Sequence, residues 1–311
     1  MFRNNAKGSA LITALFIMTL VAIAATAMST RLQLDIYRTR LTLLSDKLYL
    51  ASQAVKFWAF NELTNKQNKF RIADKQGKLV EFPSKLQTIY PSVLTKGALY
   101  DLQAKFNLNN LINKKNQAFF LNLLERTTKL SSKQRETLVK ALRDWLSPYE
   151  PNQGANNFFN YYTQQKPTYF PAHQLMQNVS EFRLLFGVTA KVYQDLEGFI
   201  IALPESTPLN INTATKPLIM SLGDGLSEKK ADKLIGARGE KGIRKLQDIE
   251  PMLKKFNIRQ EQLTLESQYF LAVATTSVDD FTLVNYVIIK RIKDKKGKIS
   301  LSVMSESLNS F

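Results

Sequence analysis

Apolar residues crowd the start of the chain. Ala10 to Met28 reads ALITALFIMTLVAIAATAM without a charge, and the charge-free window extends from Gly8 to Thr30. A helix rises about 1.5 Å per residue, so roughly 20 residues cross a bilayer core of about 30 Å. The window therefore predicts a membrane-spanning helix. Thr13, Thr19 and Thr26 lie within it, and each can return its hydroxyl to the backbone one turn back. Past the window the pattern turns periodic. Leu41, Leu44, Leu48, Ala51, Val55 and Trp58 are spaced by 3, 4, 3, 4 and 3, one stripe on a helix. Proline and glycine are absent from Ser9 to Asn61. One helix of roughly 45 to 50 residues is predicted, half in lipid and half carrying its stripe against a globular domain or a partner helix.

Downstream the pattern mixes types. From Asn61 to Tyr100, short β-leaning runs (Phe70–Ile72, Leu79–Phe82, Leu99–Tyr100) are punctuated by Gly77 and Gly97. Asn110 to Leu146 reads as helical, with Phe119, Phe120, Leu123 and Leu124 on one face and Leu138, Ala141, Leu142 and Trp145 on the next. Ser131 or Ser132 can cap the second helix. Ser147 to Tyr162 is loop-like. Phe158, Phe159, Tyr161, Tyr162, Tyr169 and Phe170 then crowd together, fitting either an interface or a packed loop. Val179 to Leu185 marks a short helix ending at Gly187. Two further helices follow Leu209–Ala214, joined by the turn Gly223-Asp224-Gly225. After Glu261 the chain turns to strands: Tyr269–Val278, Phe281–Ile292 and Lys298–Met304, with turns at Asp279-Asp280 and Lys293–Lys298. An antiparallel meander packed on the long helix is expected, with the helical stretch inserted between early and late strands.

Composition narrows the chemistry. The 311 residues include no Cys, which excludes disulfides, zinc–thiolate sites, iron–sulfur clusters and thiol nucleophiles. His173 is the only histidine, in a proline-rich stretch. No G-x-S-x-G, H-E-x-x-H or Gly-rich phosphate loop occurs. A paired-carboxylate hydrolase stays open in principle, because any two of 26 acidic residues can meet. The formal net charge is +17, which favours acidic partners or lipid headgroups, or is simply solvated surface. Arg3 and Lys7 precede the apolar window with no acid between them, so the positive-inside tendency leaves this tail in the cytoplasm. Arg31, Arg38 and Arg40 blur that asymmetry, and Asp35 offsets them in part. Ala25-Thr26-Ala27 offers a rival reading as a secretory cleavage site. The apolar run is longer than such signals usually carry, and the helical pattern continues past the cut.

Lys7-Gly8 followed directly by the apolar run resembles the processing site of type IV prepilin-like proteins. The resemblance implies cleavage by a prepilin peptidase after Gly8, with Ser9 as the first and methylated mature residue. Most such proteins carry Glu at the fifth mature position, where this chain has Thr13. That substitution, with the chain's length, is similar to the minor pseudopilin K branch of type II secretion systems. In these filaments the Glu is understood to meet the N-terminal amine of the next subunit towards the tip. A carboxylate in lipid is costly without a partner, so a tip subunit does better with Thr13. Further along, Tyr100–Asn109 resembles the family's D-x-x-G-x-x-N-L-N segment, and Val179–Gly187 its V-x-E-L-R…G pattern. Leu209-Asn210-Ile211-Asn212-Thr213-Ala214 is similar to its L-N-V-N-T-A motif. The family's acid-rich calcium loop is only partly matched at Asp144-Trp145. Asp144 and Glu150 are the carboxylates it retains, a weak offer to an ion that takes six to eight oxygens.

The resemblance implies an α+β pseudopilin fold. Its N-terminal transmembrane helix packs on an antiparallel sheet, with a large α-helical insertion containing helix-hairpin-helix (SAM-like) units. The expected organisation is a leader over 1–8, a membrane helix over 9–29 and its periplasmic continuation over 30–60. The first part of the α/β domain then covers 61–109, an inserted helical domain 110–205, a helix-hairpin-helix-like domain 206–262 and closing strands 263–311. Asn210, Asn212, Thr213, Ala214, Gly223 and Gly225 are its structural motif residues. Lys229, Lys230, Lys233 and Arg238 could supply a DNA-binding hairpin with charge, but Asp224 inside the turn repels phosphate, so no nucleic acid is expected. The implied role is mechanical: a minor pseudopilin at the tip of a pseudopilus, in the inner membrane of a Gram-negative bacterium with its body in the periplasm. The implied partners are minor pseudopilins I and J, pseudopilin H, the inner-membrane assembly platform, prepilin peptidase and membrane lipid. No cofactor is expected beyond the weak calcium site. Rival readings are a DNA-uptake or adhesion minor pilin and a membrane-anchored periplasmic enzyme.

Overall fold

The computed structural model describes residues 7–74, 77–148 and 158–310. Helix α1 (Lys7–Thr64) runs unbroken for 58 residues, longer than expected. Nothing in its sequence breaks it, because Pro and Gly are both absent from Ser9 to Thr64. Thr19 and Thr26 return their hydroxyls to Phe16 and Ala22 carbonyls at 2.8 Å, which spares the apolar stretch two unpaired polar groups. Its window beginning at Ala10 is long and apolar enough to cross a membrane, and none of it is buried within the protein. The other half is the spine of the body, where Leu48, Ala51, Val55, Trp58, Ala59 and Leu63 are buried.

That half lies on a five-stranded antiparallel sheet. Strands β1 (Lys78–Glu81) and β2 (Leu94–Asp101) come before the insertion. The insertion starts with the two-residue strand β3 (Phe106–Asn107) and 3-10 turns over Leu108–Ile112 and Lys114–Asn116. Helices α2 (Gln117–Thr127), α3 (Ser132–Leu146), α4 (Phe159–Thr163) and α5 (Ala190–Leu196) follow, then strands β4 (Ile200–Ile201) and β5 (Leu209–Asn210). Helices α6 (Lys216–Met220), α7 (Glu228–Arg238) and α8 (Glu250–Lys255) precede β6 (Leu263–Thr264). The chain then returns to the sheet as β7 (Tyr269–Val278), β8 (Phe281–Lys293) and β9 (Ile299–Leu308). Strand order is β1-β2-β7-β8-β9. Asp101 at the end of β2 is the register partner of Phe270 at the start of β7. The insertion thus leaves and re-enters at adjacent points of one sheet, so its length costs the sheet no pairing.

Two cores follow from this layout. On one sheet face α1 meets Phe82, Leu99, Phe270, Ala272, Ala274, Val287 and Ile289. Gly97 is where helix and sheet come closest: a Cβ there would stand 2.5 Å from Val55 Cγ1. The insertion has its own core, built on Phe106, Phe120, Leu142, Trp145, Tyr162, Phe182, Leu218 and Leu234. A small cluster of Leu102, Ile201, Leu203, Tyr269 and Leu271 joins it to the opposite sheet face.

The structure departs from several of these expectations. Phe70–Ile72 forms no strand; Phe70 has a φ of 47° and its ring packs 5.4 Å from that of Phe270, so side-chain packing holds it. The first part of 110–146 is 3-10 turns, where Asn107 and Asn113 side chains accept from Asn109 and Lys115 amides. The helix at 179–184 is also 3-10, begun by a capping box from Asn178 and Glu181. Ser131, not Ser132, caps α3, in a capping box with Gln134. Helix α5 and the parallel pairs β3–β4 and β5–β6 had no counterpart in the periodicity.

Candidate functional site

Leu48, Ala51, Val55 and Trp58 face the protein's own sheet, and Leu41 and Leu44 are half-buried at the lower rim of that contact. The predicted stripe is thus used internally. A second apolar line, missed in the sequence reading, runs Ile36, Leu43, Leu50 and Phe57 at intervals of seven, every one more than half exposed. The signal was available as a heptad spacing, which keeps one side of a helix facing one neighbour. At about 100° per residue this seam lies beside the Tyr49, Gln53 and Lys56 side chains.

Those three side chains grip β9. Glu306 Oε1 accepts from Asn285 Nδ2 at 2.8 Å, Gln53 Nε2 at 2.9 Å and Tyr49 OH at 3.3 Å, and Oε2 takes Lys56 Nζ at 3.1 Å. Burial pushes the Glu306 carboxyl up, but the bonds from Asn285, Gln53 and Lys56 outweigh it and hold the group below the usual glutamate range. The outermost strand is thereby fixed to the spine.

The insertion is joined to the sheet through a buried carboxylate. Asp101 Oδ2 accepts from Thr213 Oγ1 at 2.6 Å, Ser267 Oγ at 2.7 Å and Asn210 Nδ2 at 2.9 Å, while Oδ1 accepts from the Gln103 amide at 2.8 Å. Burial raises its pKa, and the four bonds oppose the rise without cancelling it. Asn212 accepts from the Ile243 amide at 2.7 Å and donates to the Ile243 and Leu265 carbonyls at 3.0 and 3.3 Å. Asn109 does the same one unit earlier: it accepts from the Met176 amide and donates to the Met176 and Leu203 carbonyls at 2.9, 2.9 and 2.7 Å. Asn107 and Asn210 each accept from the amide two residues on. One asparagine device, used twice, staples each half of the insertion. Buried Ala214 completes the second copy; its carbonyl accepts from Arg238 Nη2 at 2.7 Å.

Gly223 and Gly225 form the α6–α7 turn, at φ of +60° and +87°. A Cβ on Gly223 would meet the Phe256 carbonyl oxygen at 2.4 Å. Asp224 accepts from Asn257 Nδ2 at 2.9 Å. The turn is occupied by protein contacts, and Arg238 points inward, its pKa lowered to about 10 by burial. Lys229, Lys230 and Lys233 are exposed on α7.

The backbones of Gly8 and Ser9 lie in the first turn of α1 and Thr13 on its exposed lower half, while the leader residues 1–6 fall outside the described residues. Asp144 is half-buried in the last turn of α3, close enough to Tyr162 to raise its pKa further. Glu150 lies outside the described residues. Among the described residues no group of three or more His, Cys, Asp or Glu is arranged to hold a metal. The aromatic cluster divides: Tyr162 is fully buried, Phe158, Tyr161 and Tyr169 pack against the core, and Phe159 and Phe170 stay exposed.

Two family models, both described as type II secretion system (T2SS), protein K, match residues 104–205 and 209–267. Type II secretion system protein K of Klebsiella pneumoniae is 30% identical, over 68% of this chain and 67% of that one. The Aeromonas hydrophila protein is 28% identical over 93% of this chain and 94% of its own. The match to the Pseudomonas aeruginosa protein, 28% identical, covers 66% of this chain and 63% of the relative, a little under two thirds of its length. Among solved structures, a chain of the GspK-GspI-GspJ complex from the enterotoxigenic Escherichia coli type 2 secretion system superposes with a TM-score of 0.69. It is 20% identical and covers 88% of this chain and 100% of that chain, a likeness of fold.

Proposed function

The chain belongs to the type II secretion system protein K family, and from this we propose that it is a minor pseudopilin that starts or caps the tip of a pseudopilus. The observation that carries the reading is the two-sided α1. One apolar face is consumed by the protein's own sheet, and the seam Ile36, Leu43, Leu50 and Phe57 is left for a neighbouring helix. In the solved complex a related chain is assembled with GspI and GspJ; the corresponding minor pseudopilins I and J are the proposed partners here. Pseudopilin H and the assembly platform follow as later contacts. The long apolar helix serves as a single-pass inner-membrane anchor, with the N-terminus in the cytoplasm and the body in the periplasm.

Processing after Gly8 would leave Ser9 as the mature start and Thr13 at the position that usually bears Glu. Without that carboxylate the subunit has no acid to offer an amine above it, which suits the last subunit of a stack. The insertion supplies bulk over the helix. Its α6–turn–α7 segment serves as a helix-hairpin-helix-like protein-contact unit, because Asp224 and the inward Arg238 leave the turn unsuited to phosphate.

The test is the N-terminal residue and intact mass of the protein taken from its native membrane, with and without prepilin peptidase. A start at Ser9, extended by the leader when the peptidase is missing, supports the reading. A start near Met28, or an unprocessed chain in both strains, overturns it.

A further inference from the structure

We propose that the free edge of β9 is a strand-addition site, filled by an extended segment of the neighbouring pseudopilin whose acidic end reaches the β8–β9 hairpin. The proposal rests on the tip-assembly reading above and says how that neighbour docks.

The backbone pattern defines the edge. The Arg291 amide donates to the Gln268 carbonyl on the β7 side, and the Asn309 amide to the Val284 carbonyl across the β8–β9 ladder. Odd residues of β8 therefore bond towards β7 and even residues towards β9. In the β8–β9 register Ser302 pairs with Lys290 and Ser300 with Ile292, so these serines turn their backbones inward. Ile299, Leu301 and Val303 turn their N–H and C=O groups outward, where β9 ends the sheet.

Exposed edges are ordinarily blunted by Pro, by Lys or by inward charge. Ile299–Leu308 contains neither Pro nor Lys, and its one acid, Glu306, is bound on the α1 side. The register slips between Ile288 and Ile289, where Met304 forms a bulge. A bulge bends its strand, so the straight run open to addition is Ile299–Val303.

Three features select the occupant. Ser300 and Ser302 face the insertion side, beside a groove lined by Leu175, Leu203, Pro204, Ile288 and Met304 that can take alternate side chains of an added strand. The hairpin at the start of β9 carries Lys293, Lys295, Lys296 and Lys298, while its Asp294 carboxylate already accepts from the Lys298 amide at 2.7 Å. That surplus calls for acidic residues on the incoming segment. Lastly, the α1 seam lies next to the Tyr49, Gln53 and Lys56 side that holds β9, so a partner helix on the seam brings its own body alongside this edge.

The experiment uses the full chain in detergent, assembled with minor pseudopilins I and J of its own secretion system and followed by hydrogen exchange. Amides of Ile299, Leu301 and Val303 should exchange about tenfold or more slowly in the complex than in the free chain. Val303→Pro removes one outward N–H and spares the β8 ladder, so it should weaken assembly while the free chain melts as before. Lys295→Glu with Lys296→Glu, on an exposed hairpin, should weaken assembly and reverse its salt dependence; this pair and the wild-type exchange decide the matter if the proline variant folds poorly. A complex that forms with 299–303 exchanging at the free rate overturns strand addition and leaves the tip reading standing. Failure of the wild-type chains to assemble at all overturns the tip reading, and this inference with it.

Discussion

At Glu306 and Asp101, two carboxylates in one protein answer to opposite balances. Glu306 gains more from Asn285, Gln53 and Lys56 than it loses by burial, so its folded pKa lies below the unfolded value. Its contribution is present above the unfolded glutamate pKa of about 4.3 and is lost as pH falls through the lower folded pKa. Glu306→Gln should cost about 1–2 kcal/mol and flatten the acid side of the stability–pH curve, as read by urea melts across pH. Asp101 is shifted the other way, because desolvation dominates its four bonds. Its folded pKa exceeds the unfolded one, so stability from this group falls as pH rises past about 3.9. Removing it is nevertheless harmful. Asp101→Ala strands four buried donors, from Thr213, Ser267, Asn210 and the Gln103 amide, and should cost about 3 kcal/mol or more, with Asp101→Asn milder. The motif Leu209–Ala214 was legible in the sequence as a motif. Its purpose was not, since Asp101 lies more than a hundred residues earlier and only folding brings it to Thr213.

For elements, the periodicity of α1 was legible because helix spacing is local. Leu48, Ala51, Val55 and Trp58 could be assigned to one face without knowing what lay beneath them. Which face meets the protein's own sheet and which stays open depends on where the strands pack. Leu50→Asp with Phe57→Asp should therefore leave the thermal melt of the free chain within about 2 °C of wild type and abolish co-purification with minor pseudopilins I and J, the partners proposed above. The α6–α7 turn gives the contrary case. Gly223→Ala forces a Cβ into a position at positive φ that already abuts the Phe256 carbonyl, and should cost about 1–3 kcal/mol. Faster local proteolysis between Leu222 and Leu226 would report it. The short parallel pairs β3–β4 and β5–β6 escaped the periodicity because two-residue strands contain no period to detect.

Across the whole molecule, the lower half of α1 makes no core. Its large apolar side chains from Leu11 to Ile23 are all more than half exposed, so a chain beginning at Arg31 should lose membrane association and keep its melting temperature within about 2 °C. A larger shift, measured by calorimetry on the truncated chain, would mean that the anchor stabilises the body. The amino-acid sequence by itself determined an apolar helix long enough to cross a membrane, its unbroken continuation, the three late strands and the family resemblance at Leu209–Ala214. All of these depend on neighbours within a few residues, where helix period, strand alternation and the absence of Pro or Gly act directly. Only the tertiary structure decided that Asp101 joins insertion to sheet and that Asn109 and Asn212 are the same staple used twice. It also decided that Phe70 plugs a core, and that one line of α1 and one edge of β9 are left open on the same side. Each of these joins positions far apart in the chain, where burial and hydrogen-bond satisfaction are settled by packing and not by local pattern.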